Sequence, residues 1–141
     1  SLMLGCAKVG MDVTICSPKG LGPRSEIVEA ARKGALGGAK VVVTDDIDEA
    51  ISGANAVYTD VFFSMGQEKD PAKEAALMPM QVNAEMMAKA APDAIFLHCL
   101  PAHRGEEVTD EVMEGAQSRI FPEAENRLHA QKAVMYLLMK D

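Results

Sequence analysis

His98-Cys99-Leu100-Pro101 closes the apolar run Ala94-Ile95-Phe96-Leu97, so a thiol stands where a buried strand gives way to loop. Ligands collect at such carboxyl ends in open α/β sheets. Pro101 supplies no backbone donor and turns the chain away, which leaves the carbonyls and side chains before it free to face a ligand. Taken alone, a cysteine after an apolar strand is ordinarily a small buried hydrophobe. Here it has company: Asp60 closes a second apolar strand, Asn55-Ala56-Val57-Tyr58-Thr59-Asp60, and Ser64-Met65-Gly66-Gln67-Glu68 follows. Two strand ends thus carry a carboxylate, a hydroxyl and a thiol.

The elements that must position these groups alternate along the chain. An amphipathic segment over residues 2 to 9 stops at Gly10, and the β-branched run Val13-Thr14-Ile15-Cys16 then predicts a short strand ending at Ser17-Pro18. Pro23 suits the first turn of a helix running from Ser25 to about Lys33, and glycines at 34, 37 and 38 break it before the strand Lys40-Val41-Val42-Val43-Thr44. Asp46 or Asp48 caps a brief helix through Ile51, which ends at Gly53 before the strand reaching Asp60. Helical material over about 72 to 91, interrupted at Pro79, leads to the strand reaching His98. Thr109 caps a short acidic helix ending at Gly115, and the segment from Asn126 to Lys140 predicts a final helix that needs a surface to dock on. Strands separated by helices predict a Rossmann-like α/β fold, an open parallel sheet with helices on both faces.

Composition narrows the function. At 141 residues, nearly half of them hydrophobic, the chain suits one globular domain with a real core, and no repeat or linker divides it. A formal charge of −7 with scattered cations argues against nucleic acid as a partner. Cys6, Cys16 and Cys99 are few, odd in number and not in CxxC spacing, which reads as a reduced, cytoplasmic protein without a disulfide framework. No stretch approaches the roughly 20 apolar residues that span a bilayer, so no membrane role is expected. The chain starts at Ser1 inside an apolar segment, from which we expect further sequence upstream.

Three sharper motifs fail on detail. Gly20-Leu21-Gly22-Pro23-Arg24-Ser25 imitates a dinucleotide loop, but serine replaces its third glycine and a proline intrudes. Cys99 and Arg104 resemble the cysteine-phosphatase phosphate loop with one residue too few between them, and Pro101 removes an amide donor. His98, Cys99 and His103 are too close together to close a four-ligand zinc site, so neither metal nor cofactor is expected.

Three ordered motifs carry a family resemblance: Phe96 to Thr109 around His98-Cys99-Leu100-Pro101; Ile120-Phe121-Pro122-Glu123-Ala124-Glu125-Asn126-Arg127; and Asp60-Val61 through Ser64-Met65-Gly66-Gln67-Glu68. The chain resembles ornithine carbamoyltransferase, over residues 1 to 141, as its carboxyl-terminal ornithine-binding domain. Aspartate carbamoyltransferases share the architecture and lack the His-Cys-Leu-Pro element. The resemblance implies transfer of a carbamoyl group from carbamoyl phosphate to the side-chain amine of L-ornithine, giving citrulline and phosphate in arginine metabolism.

By the same match Cys99 sits beside the reacting nitrogen as proton acceptor, not as covalent nucleophile, and the Leu100 carbonyl is a further acceptor. Asp60 pairs with the amino-acid end of ornithine and with the thiol, while Ser64 and the backbone around Met65 receive its α-amino and carboxylate groups. Arg127, with Cys99 and Leu100, contacts carbamoyl phosphate, where a guanidinium stabilises developing negative charge. Missing from the family pattern are the amino-terminal carbamoyl-phosphate domain and the Asp-Gly-Asn-Asn element expected just before Ser1. That element is the first, central strand, so we expect a gap or altered pairing beside Val13 to Cys16. Phe62 stands where the family commonly has tryptophan. The expected whole is a homotrimer, and the domain alone is expected to be inactive. Two alternatives stay open: a non-catalytic amino-acid-binding or regulatory module, and a carbamoyltransferase for putrescine or a modified ornithine.

Overall fold

In a computed structural model residues 1 to 140 are described. The chain divides into two compact units, Ser1–Ser52 and the remainder from Gly53. The first contains helix α1 (Leu2–Lys8), strand β1 (Val13–Cys16), α2 (Ser25–Lys33), β2 (Val41–Thr44) and α3 (Ile47–Ile51). β1 and β2 pair in parallel, Val13 opposite Val41 through Cys16 opposite Thr44, with α2 as the crossover that parallel pairing requires. Apolar residues at a helical period on α2, Ile27, Val28 and Ala31, meet Met3 and Ala7 of α1 over Val41. Ala7 and Ala31 are 0% and 1% exposed, so larger side chains there would overpack the unit, at a cost of about 1–3 kcal/mol.

The second unit holds β3 (Ala56–Thr59), α4 (Pro71–Leu77), a 3-10 turn at Met78–Met80, α5 (Ala84–Lys89), β4 (Ile95–His98), α6 (Asp110–Met113) and α7 (Ile120–Met139). β3 and β4 also run parallel, with Thr59 opposite His98 as the last pair. Its buried apolar residues include Phe62, Phe63, Val82, Met87, Phe96, Val108 and Ile120. Phe96 donates its amide to Gln117 O at 2.9 Å and accepts from Arg119 N at 2.8 Å, which anchors the start of α7 beside β4. Val82 N donates to Glu107 O at 2.9 Å and Thr109 N to Val82 O at 3.0 Å, so the turn after Pro101 is pinned as well.

The α/β class and the order of elements follow the sequence expectation, with three corrections of detail to the helices. The strands form two two-stranded parallel sheets, and β1 has a hydrogen-bonded neighbour on one side only among the described residues. That is the gap expected beside Val13 to Cys16. α7 begins at Ile120, not Asn126, because Pro122 falls in its first turn, where the missing N–H has no intrahelical partner to lose. α2 begins at Ser25 with Pro23 outside it. Thr109 stands at the N-cap of α6 without making a side-chain cap bond. Asp46 does cap α3, accepting from Glu49 N at 3.1 Å. Among the described residues no helix is long and apolar enough to cross a membrane.

Candidate active site

Because β3 and β4 are parallel and in register through Thr59 and His98, the next residue of each strand, Asp60 and Cys99, emerges at the same carboxyl edge. The Cys99 thiol donates to Asp60 Oδ1 at 3.3 Å. The same oxygen accepts from Val61 N at 2.8 Å, which fixes the carboxylate against its own backbone. Tyr58 lies two residues before Asp60 on the same face of β3. Burial pushes the Cys99 thiol above its ordinary pKa; a hydrogen bond from Tyr58 opposes this, while Asp60 and the charge of Glu123 reinforce it. Tyr58 is raised in turn by burial, by its bond to Cys99 and by the charges of Cys99, Glu123 and Asp60. At neutral pH the sulfur is therefore a thiol whose proton points at a carboxylate.

Behind Cys99 the loop is held from inside. His98 Nδ1 accepts from Leu100 N at 2.9 Å, so the ring proton lies on Nε2 and is donated to Glu107 Oε1 at 3.1 Å. Glu107 Oε1 also accepts from His103 N at 2.6 Å. His98 and Glu107 are both fully buried. Leu100 is the one non-glycine residue with positive φ among those described, at 55°, a conformation costing about 1–2 kcal/mol that the bond to His98 helps to retain.

Arg127 reaches back from α7 and donates through Nη1 to the Cys99 carbonyl at 3.0 Å. An open cleft of about 790 Å³ lies here, lined by Cys99, Leu100, Arg104, Phe121, Arg127 and Gln131 among others. Cys99, Asp60, Leu100 and Arg127 are thus brought together. Ser64 and Met65 are not among the cleft's lining residues: they form a turn in which Gln67 N donates to Ser64 O at 3.0 Å, and Met65 is 96% exposed. Gly66, at φ 83°, takes the third position of that turn, where left-handed backbone favours glycine.

Three participants escaped the sequence reading. Tyr58 was seen only as part of an apolar strand. Glu107 sits in Gly105-Glu106-Glu107, a stretch that reads as solvated; only its pairing with Val82 buries it. Glu123 was quoted within a motif without a role. His103, Glu106 and Glu107 bring ligand atoms within 4.8 Å of one another, with one oxygen of Glu106 paired to Lys69 at 2.7 Å and one of Glu107 to His98.

The family model described as aspartate/ornithine carbamoyltransferase, Asp/Orn binding domain, matches residues 1–138. The ornithine carbamoyltransferase of Rhodococcus opacus (strain B4) is 53% identical over 141 residues, covering 99% of this chain and 45% of that protein. The crystal structure of ornithine carbamoyltransferase from Gloeobacter violaceus superposes with a TM-score of 0.88 at 48% identity, over 99% of this chain and 46% of that one. That of the anabolic enzyme from Campylobacter jejuni gives 0.91 at 39% identity, over 100% and 47% respectively. The chain therefore spans less than half the length of each of these three proteins.

Proposed function

The chain belongs to the aspartate/ornithine carbamoyltransferase family, as its Asp/Orn-binding domain, and on that premise we propose that it supplies the amine half of an ornithine carbamoyltransferase site. The reaction is transfer of the carbamoyl group of carbamoyl phosphate to the side-chain nitrogen of L-ornithine, giving L-citrulline and phosphate in the cytoplasm. The observation that carries this reading is the Cys99–Asp60 pair at the shared edge of β3 and β4.

An ammonium has no lone pair, so the nitrogen must lose a proton before or as it attacks the carbonyl carbon. Cys99 in its thiol form cannot take that proton unless its own moves on. Asp60 Oδ1 is placed to receive it at 3.3 Å. As the sulfur's proton passes to Asp60, the sulfur accepts the one leaving the amine, and the Leu100 carbonyl holds a second N–H. The nitrogen lone pair forms the new C–N bond, the bond to the phosphate oxygen breaks with its electrons leaving on phosphate, and the departing phosphate takes the second proton that the nitrogen must shed. Arg127, held over the Cys99 carbonyl, contributes positive charge to the side where negative charge develops. Ser64 and the Met65 backbone receive the α-amino and carboxylate groups of ornithine once their turn swings inward on Gly66.

Carbamoyl phosphate requires a second domain, and the exposed apolar residues of α7, including Leu137 at 72% and Leu138 at 80%, fit a helix that docks on it. The complete enzyme is proposed to be a homotrimer. Titration of ¹⁵N-labelled chain with L-ornithine tests the reading. Shift changes should concentrate at Asp60, Cys99, Leu100 and the Ser64 to Gly66 turn; changes centred on the β1–β2 edge instead would contradict it.

A further inference from the structure

Glu107 is fully buried, and its two oxygens differ in what they meet. Oε1 accepts from His98 Nε2 at 3.1 Å and from His103 N at 2.6 Å, both uncharged donors, since the Leu100 amide occupies His98 Nδ1. Oε2 is buried without a hydrogen-bond partner. The half-exposed ring of His103 brings Nδ1 to 4.0 Å from it, too far for a hydrogen bond. Glu106 completes a set of three ligand atoms that all lie within 4.8 Å of one another. A buried carboxylate with one bare oxygen is costlier than a neutral acceptor left unmatched, so the arrangement calls for a cation. The frame that holds it is fixed: Gln81 Nε2 donates to the carbonyls of Gly105 and Glu106 at 2.8 Å each, and Val82 N to Glu107 O at 2.9 Å. None of the three side chains lines the cleft at Cys99.

We propose that His103, Glu106 and Glu107 form a binding site for a divalent transition-metal ion of the zinc class, on the turn that follows Cys99 and Leu100. One imidazole and two carboxylates suit zinc, whereas calcium and magnesium ask for more oxygens. Zinc bonds imidazole nitrogen and carboxylate oxygen at about 2.0–2.2 Å, so two of its tetrahedral ligands stand about 3.4 Å apart. His103 Nδ1 and Glu107 Oε2, at 4.0 Å, reach that spacing by a small rotation of the half-exposed ring, which also opens the way to the buried oxygen. Water takes the fourth position. Glu107 keeps Oε1 on His98 and the His103 amide, the outer hydrogen bonds that orient a metal-bound carboxylate. Lys69 is the competitor: its ammonium, more than half exposed, holds Glu106 Oε1 at 2.7 Å, and the ion must draw Glu106 away from it. Bound there, the ion fastens His103 to Glu107 and stiffens the turn.

The test is calorimetric titration of the 141-residue chain with Zn²⁺ alone. One ion should bind per chain. H103A and E106Q, at side chains that reach solvent, should each weaken it by roughly tenfold or more, the loss expected even for an outer partner of a metal ligand. K69Q removes the competing ammonium and should tighten binding. E107Q keeps an oxygen for His98 and the His103 amide and puts an NH₂ group where the ligand stood, so it should abolish binding; if that variant does not fold, H103A and E106Q decide alone. Co²⁺ in place of zinc separates this site from the Cys99 thiol: its spectrum should lack a thiolate-to-cobalt charge-transfer band, and C99A should keep full affinity for Zn²⁺. Absence of zinc binding, undiminished affinity in H103A or E106Q, or binding that C99A abolishes would overturn the inference.

Discussion

His98 and Glu107, both fully buried and nine residues apart, hold each other at 3.1 Å and between them fix the amides of Leu100 and His103. The pair makes the turn after β4 a rigid continuation of the strand and not a mobile loop. Cys99 and the Leu100 carbonyl are thereby presented at a set place. Replacing Glu107 with leucine would leave the His98 Nε2 proton and the His103 amide without an acceptor, each at a cost of about 1–3 kcal/mol. Urea unfolding of the second unit should register a loss of about 2 kcal/mol or more, with the Leu100 amide resonance displaced. A loss below about 0.5 kcal/mol would mean that the pair is not what holds the turn.

The positive φ of Leu100 predicts an ordering of two substitutions. Alanine and glycine both remove the side chain, but only glycine is at ease in the left-handed region. Leu100→Gly should therefore be more stable than Leu100→Ala by about 1 kcal/mol. Equal midpoints in denaturant would indicate a turn that relaxes to negative φ.

The Cys99 thiol should alkylate at a higher pH than an unhindered cysteine, because burial and the negative groups around it disfavour the thiolate. Removing Asp60's charge in D60N should move the profile to lower pH. Tyr58→Phe should move it higher, because the hydroxyl that stabilises the thiolate is lost. Rate against pH for a small haloacetamide, read at the Cys99 peptide, gives both signs; coincident profiles would dissolve the three-residue cluster.

Lys69 and Glu106 join the segment after the Ser64 turn to the turn that carries Glu107, at 2.7 Å. The hydrogen bond from Lys69 holds the Glu106 carboxyl below the usual carboxylate range. Whatever the pair adds to order is fully present above the unfolded-state carboxyl pKa and is lost as pH falls through the lower folded-state value. Both side chains face solvent, so salt should weaken it as well. Amide exchange over residues 64 to 70 should accelerate in K69Q and in high salt; unchanged exchange in both would remove the tether from the account.

What the sequence made legible depended on how local the determinant was. β1, β3 and β4 announce themselves as β-branched or apolar runs closed by polar residues, and the strand-end logic located Asp60 and Cys99 with nothing further. The gap beside β1 was foreseen only through the family resemblance, because pairing between strands is not encoded in any single segment. The early start of α7 was missed because the apolar periodicity was followed only from Asn126, while Pro122 is housed in the helix's first turn. Glu107 was opaque because glutamate is presumed solvated until tertiary contacts bury it, and its partners Val82 and His98 come from other elements. Ser64 and Met65, named from resemblance, sit in an exposed turn outside the cleft lining, and the binding part proposed for them would require a movement that sequence cannot record.

The central claim is that the Cys99–Asp60 pair takes the proton of the attacking amine. It is tested most directly by joining this chain to the carbamoyl-phosphate half of a relative such as the Rhodococcus opacus enzyme and measuring citrulline formation for the parent, C99A and D60N. The account predicts that kcat falls by roughly 10²-fold or more in each variant, the usual range for loss of general acid–base assistance, and that C99A combined with D60N costs little beyond either alone. Citrulline formation within a factor of a few of the parent in C99A would contradict it.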